Sequence, residues 1–171
     1  PVGRSRMRTW LRYFEAKPTP AVRYPTFNRI LIRNYQHLSI EEFENEAKIR
    51  PLKSDFYRRM GREGFSEGDI DKAIRIIQQT VDRIEKALFE GSPWLLGEIF
   101  TLADICVAPL IDRMEDLGYE GLWEDDYPNV TRWFRRMKSR PAYSKAYYHG
   151  SRYSEIFPDI GLGRSTTEKA C

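Results

Sequence analysis

The sequence predicts an all-α fold, a helical bundle around one buried central helix over about residues 101–117. Three observations carry that reading. Apolar residues recur at helical spacing along most of the chain. Capping boxes of the Ser/Thr-x-x-Asp/Glu type stand before three of the periodic stretches, at Ser39, Ser66 and Thr101. No stretch reads as a strand, a repeat or a low-complexity tract.

Residues 1–17 form the first expected helix. Met7, Leu11 and Phe14 fall at i, i+4 and i+7, Trp10 widens the stripe, and Pro1 suits a position at or before a first turn. On the opposite side Arg4, Arg8, Arg12, Glu15 and Thr19 line up. Pro18 and Pro20 break or kink this pattern. A second helix is expected from about 21 to 36, carrying Phe27, Ile30, Leu31 and Tyr35, with Pro25 in its first turns or at another kink. The charged stretch from His37 to Gly64 reads as two short helices parted by Pro51, the first opened by Ser39-Ile40-Glu41-Glu42. It is expected to be a surface excursion.

Ser66-Glu67-Gly68-Asp69 opens the clearest helix, in which Ile70, Ala73, Ile74, Ile77, Val81, Ile84 and Leu88 recur, and Gly91 stops it. The central helix follows. Thr101 is placed as its N-cap, with the Asp104 carboxylate reaching back to the Thr101 N–H, and Phe100 with Ile105 form a hydrophobic staple across the box. The helix is apolar on more than one face, so a central, buried helix rather than a surface one is expected, with Cys106 as a small filler. Pro109 cannot donate to the carbonyl of Ile105, which predicts a kink costing about 3 kcal/mol. Gly118 ends the helix. Pro128 opens the next, with Asp125 or Asp126 near its positive end and Val130, Trp133, Phe134 and Met137 as its apolar face. Periodicity fades after Gly150, so residues 150–171 are expected to form a partly mobile C-terminal extension.

The 171 residues suit one core, and 41% hydrophobic with 13% aromatic content excludes general disorder. The sequence has no run of 18 apolar residues and no secretory pattern at its start, which makes the cytoplasm the expected compartment. A net charge of +3 is too mild to imply nucleic acid. The two cysteines, Cys106 and Cys171, are not expected to pair. His37 and His149 stand alone, without metal-ligand spacing, and no serine sits in a nucleophile elbow. Neither a metal nor a catalytic residue is expected within this chain.

Gly97, Phe100, Thr101, Asp104 and Ile105, a structural capping box with its staple, resemble the start of the core helix in one family. This is the helical C-terminal domain of the cytosolic glutathione transferases (glutathione S-transferases), bacterial type. A second stretch, Tyr127-Pro128-Asn129-Val130-x-x-Trp133-Phe134-x-Arg136-Met137-x-x-Arg140-Pro141-x-Tyr143, is similar to that family's closing helices. The resemblance spans about residues 1–149, and the connection over 37–64 is long beside the family's. It implies a thioredoxin-like N-terminal domain outside this sequence that supplies the catalytic Ser, Tyr or Cys and most of the glutathione site. Alone, the chain is then expected to be inactive.

The resemblance also implies what this chain would add. In the family the first and central helices wall the bed of a small hydrophobic electrophile, which makes Arg12, Tyr13, Thr19, Leu110 and Arg113 substrate-binding candidates. A homodimer is implied across the first helix, where Arg4, Arg8 and Arg12 could meet a carboxylate of the partner's glutathione. For Arg12 and Glu15, bridging to the absent domain or to solvent is the competing role. No nucleic-acid or membrane partner is implied. The alternative reading is a non-catalytic interaction module, as in translation factors and synthetases that carry related helical domains.

Overall fold

The computed structural model describes residues 2–158. Pro1 and the end of the expected extension, with Cys171, lie outside the described residues. Among those residues the chain is helical, with no strand and only an isolated bridge between Trp94 and Gly97. No described helix is long and apolar enough to cross a membrane.

Helix α1 (Val2–Ala16) buries Trp10 and Phe14, whose rings stack at 5.4 Å. The expected helix over 21–36 is instead three short pieces: α2 (Pro18–Ala21), α3 (Arg23–Arg29) and a 3₁₀ turn over Leu31–Asn34. Proline explains the first break, because Pro25 has no N–H for the carbonyl of Ala21. The two pieces meet at Val22, whose N–H donates to the carbonyl of Pro18 at 2.9 Å.

The charged stretch is more than a surface loop. Helices α4 (Ile40–Lys48) and α5 (Ser54–Met60) enclose a second small core of Ile32, Phe43, Ala47, Tyr57, Met60 and Phe65. The expected box at Ser39 closes, with Glu42 Oε2 accepting the Ser39 N–H at 2.7 Å. Asn28 fastens this lobe to the bundle with both ends of its amide: Nδ2 donates to the Phe65 carbonyl at 2.9 Å, and Oδ1 accepts the Phe65 N–H at 2.7 Å. Gly64 makes room for that grip. Its φ is +96°, and a Cβ there would stand 2.8 Å from Asn28 Oδ1.

The main core lies between α6 (Glu67–Ala87), α7 (Leu102–Asp116) and α8 (Pro128–Lys138), with α1 packed against α7 and α2 against α6. Ile77, Val81 and Ile84 meet Val107, Ile111, Met114 and Trp133 there, all at most 1% exposed. Each such side chain stabilises the fold by roughly 1.5–3 kcal/mol before conformational entropy is subtracted. Gly118, with φ +76°, follows the end of α7 as expected. The N-terminus of α8 is held by Glu85 of α6 rather than by Asp125 or Asp126, which are exposed. Glu85 accepts the N–H groups of Asn129 at 3.3 Å and Val130 at 2.9 Å. Two short helices follow, α9 (Pro141–Ala146) and α10 (Tyr153–Ile156), the second within the stretch expected to be aperiodic.

Helix α7 corrects one expectation. It runs through Pro109 as a single helix, but it is not buried on every side. Leu102, Ile105, Cys106 and Pro109 are exposed, Leu102 by 51% and Ile105 by 47%. These positions follow i, i+3, i+4 and i+7, one face of a helix. Cys106 is therefore an exposed thiol and not core filler.

Candidate functional site

The site is built outward from the first turn of α7. Asp104 is wholly buried and uses both carboxylate oxygens. Its Oδ2 accepts the Thr101 N–H at 3.0 Å and lies 3.2 Å from the Thr101 hydroxyl, which in turn accepts the N–H of Ala103. Its Oδ1 accepts the N–H of Leu95 at 2.9 Å and the indole Nε1–H of Trp133 at 3.0 Å. One carboxylate thus joins the cap of α7 to α8 and to the turn before α7. That turn is closed by paired bonds between Trp94 and Gly97, the latter at φ +93°.

Held in this way, the N-terminal half of α7 presents its exposed apolar stripe beside a hollow of about 250 Å³. Phe100, Ile105, Ala108 and Pro109 form one wall, and Met137 with α9 residues such as Tyr143 and Ala146 forms the other. Phe100 and Ile105, the expected staple, both border this space. Arg140 lies on the rim, its guanidinium 3.7 Å from the Phe100 ring centroid and 5.5 Å from that of Trp94. Arg136 braces the same indole from 5.7 Å and donates to the Pro93 carbonyl. The arrangement is an apolar seat with a cationic edge.

The substrate-binding candidates do not converge on one cavity. Arg12 is exposed on α1, where it lines an open groove of about 410 Å³ with Arg4, Arg8, Ser5 and Thr9. Tyr13 turns inward, its hydroxyl 2.9 Å from Thr80 Oγ1 on α6, with the Arg83 guanidinium 4.1 Å from its ring centroid. Thr19 is exposed on α2, and Leu110 belongs to the core. Arg113 is engaged at the other end of α7: it donates to Asp116 Oδ2 at 2.8 Å and lies 4.1 Å from the Tyr153 ring centroid.

That end of α7 carries a charged network that sequence reasoning missed. Asp112 and Asp116 are at most 4% exposed and sit one helical turn apart, with Glu115 between them. Tyr143 donates its hydroxyl to Asp112, while Lys138 donates to Glu115 at 2.7 Å. Burial raises the Asp112 pKa, against the pull of Tyr143 and Arg152. Burial, then the neighbouring Asp112, also raises the Tyr143 phenol, and burial pushes Tyr147 up to about 12. Both phenols are protonated at neutral pH, and Tyr143 donates to Asp112. The one sequence signal for the network was the charged run Asp112, Arg113, Glu115 and Asp116 at the end of a mostly apolar helix.

Among the described residues no group of three or more His, Cys, Asp and Glu side chains is placed to hold a metal. His37 and His149 are both exposed. The apolar seat can exclude water, receive an apolar surface and offer the Arg140 guanidinium at its rim.

Comparison with known proteins is consistent with this geometry. Residues 63–136 match the family model described as glutathione S-transferase, C-terminal domain. The 2,5-dichlorohydroquinone reductive dechlorinase of Sphingobium indicum is 34% identical over 120 residues, covering 68% of this chain and 30% of that protein. Glutathione S-transferase TCHQD of Arabidopsis thaliana is 22% identical over 151 residues, covering 83% of this chain and 56% of that protein. The chain thus spans about a third to a half of the length of these relatives. In fold it is similar to the beta-etherase LigF from Sphingobium sp. strain SYK-6, with a TM-score of 0.74, 24% identity, and coverage of 86% of this chain and 62% of that one.

Proposed function

Since the chain carries a glutathione S-transferase C-terminal-type helical domain, we propose that it is the substrate-pocket and dimer-forming half of a glutathione transferase. The reaction is attack of the glutathione thiolate on a small hydrophobic electrophile. The thiol of glutathione must lose its proton to react, and a hydroxyl or thiol of the thioredoxin-like half stabilises the resulting anion. The helical half orders the electrophile on an apolar bed and excludes water from it. The cytoplasm, where glutathione is held reduced, is the compartment this chemistry fits.

The observation that carries the proposal is the open side of α7. A helix whose other faces lie in the core leaves Leu102, Ile105, Cys106 and Pro109 exposed beside a hollow lined by apolar side chains. A continuous apolar face of this kind is what a second folded unit covers. The thioredoxin-like half is the occupant we assign to it, with Arg140 at the rim for a carbonyl or carboxylate of that unit. The Arg4, Arg8 and Arg12 groove on α1 suits the homodimer contact and a carboxylate of the partner's glutathione, since no described carboxylate lines it.

Turnover of an aromatic halide with glutathione, measured for this chain alone and for the chain joined to a thioredoxin-like half, tests the proposal. Activity is expected only in the joined protein, and Ile105→Glu is expected to lower it at least tenfold. Turnover by the chain alone would refute the division of labour. A joined protein that binds no glutathione would favour the interaction-module reading.

A further inference from the structure

A further hollow, of about 290 Å³, opens where the end of α1 and helices α2 and α3 meet α5 and α6. It shares no lining residue with the apolar seat or with the arginine groove of α1. Its floor is apolar and includes the buried Ala21 and Ala73. Three cations from separate parts of the chain line it: Lys17 between α1 and α2, Arg59 of α5, and Lys72 near the start of α6. Asp69 is the one described carboxylate among the lining residues, which leaves an excess of two positive charges.

How these charges are already engaged narrows what the hollow can take. Arg59 donates from Nη2 to Asp69 Oδ1 and from Nε to Oδ2 at 3.4 Å. Arg59 first, with Lys72 as a smaller pull, holds the Asp69 carboxyl below its usual pKa. The Asp69 charge is thus answered chiefly by one guanidinium, and the two ammonium groups carry the surplus. Tyr24 brings a hydroxyl to the same hollow on a ring braced by Phe65 at 4.4 Å and Phe56 at 5.7 Å.

We propose that this hollow binds a small phosphate monoester, its phosphate between Lys17, Lys72 and Nη1 of Arg59 and its organic part on the Ala21 and Ala73 floor. A phosphate monoester carries close to two negative charges on one centre at neutral pH, which matches the surplus. Lysine ammonium groups are point charges on flexible stems, so they serve oxygens pointing in several directions and suit a tetrahedral group better than a planar carboxylate. Arg59 belongs to the small lobe, whereas Lys17 and Lys72 belong to the bundle, so the ligand also ties the two together beside the Asn28 clasp. Nothing in this site depends on the transferase reading above.

Titration of the full chain with phenyl phosphate at constant ionic strength, followed by amide NMR shifts, tests the site. Saturating shifts are expected over residues 17–24, at 59 and over 69–73. Succinate, a dianion with its charges at two ends, is expected to bind at least fivefold more weakly. Inorganic phosphate is expected to bind at least threefold more weakly, because it leaves the apolar floor uncovered. The double variant Lys17→Gln with Lys72→Gln is expected to weaken phenyl phosphate at least tenfold. Asp69→Asn removes the opposing charge and is expected to tighten it at least threefold. Saturating phenyl phosphate is also expected to slow hydrogen exchange of the α5 amides at least threefold, and to lose that effect in Arg59→Gln. Shifts that do not saturate, shifts confined to residues 4–12, succinate or inorganic phosphate binding as tightly as the ester, or an unchanged affinity in the lysine variant would each overturn the proposal.

Discussion

Asp104 shows how much one side chain holds in this molecule. Its oxygens accept from the Thr101 and Leu95 backbones and from the Trp133 indole, with the Thr101 hydroxyl also in reach, and the bonds from Leu95 and Trp133 are buried around a side chain that is 0% exposed. Replacing it with Ala removes the acceptor and leaves buried N–H groups unpaired, at roughly 1–3 kcal/mol each. Asp104→Ala is expected to lower the unfolding free energy by roughly 3–5 kcal/mol in urea titrations at neutral pH, whereas the exposed box at Ser39 tolerates Ser39→Ala within about 1 kcal/mol. A loss below 1 kcal/mol for Asp104→Ala would mean that the box is not the anchor of α7. The box was legible in four consecutive residues because capping is a local interaction. Leu95 and Trp133 were not legible as its partners, since only the packed fold brings them to the same carboxylate. Of the partners of Arg113, Asp116 is local in the sequence and Tyr153 is brought to it only by the fold.

Individual helices followed local chemistry where it was strong and yielded to tertiary contacts where it was weak. The start of α6 at Glu67 follows Ser66, whose hydroxyl accepts the Asp69 N–H; the expected return bond of the box is not made, because the Asp69 carboxylate pairs with Arg59 instead. At α8 the sequence offered Asp125 and Asp126, the nearest acids, and the fold instead brings Glu85 across from α6. Glu85→Ala is expected to destabilise the protein by about 1–2 kcal/mol, the scale of a lost cap. Asp125→Ala and Asp126→Ala are expected to stay within about 0.5 kcal/mol. Thermal unfolding of the three variants decides between the two caps, and an equal effect from all three would contradict the assignment to Glu85. The stretch from 21 to 36 was read as one helix and is broken into pieces, because Pro25 removes a donor there. Helix α7 was misjudged differently. An apolar face turned to the core and an apolar face turned to a second domain have the same composition, and periodicity alone does not distinguish them.

The molecule as a whole is a filled core with one side left open. The main core and the smaller one under α4 and α5 account for the apolar periodicity of most of the chain. What they leave over is the α7 stripe, the hollow beside it and the arginine-lined groove on α1. The all-α class and the central position of α7 were readable from the sequence, and so was the family resemblance carried by the Gly97–Ile105 stretch. The hollow was not, because it is assembled from three helices and the turn before α7, whose relative placement no local pattern encodes. The central claim is that a second folded domain covers this side, and the thiol of Cys106 reports on it directly. Alkylation of Cys106 by a maleimide, followed by mass in a Cys171→Ser background, is expected to be fast in this chain alone. It is expected to slow at least tenfold when the chain is joined to a thioredoxin-like half. An equal rate in both would leave the α7 stripe uncovered and contradict the account.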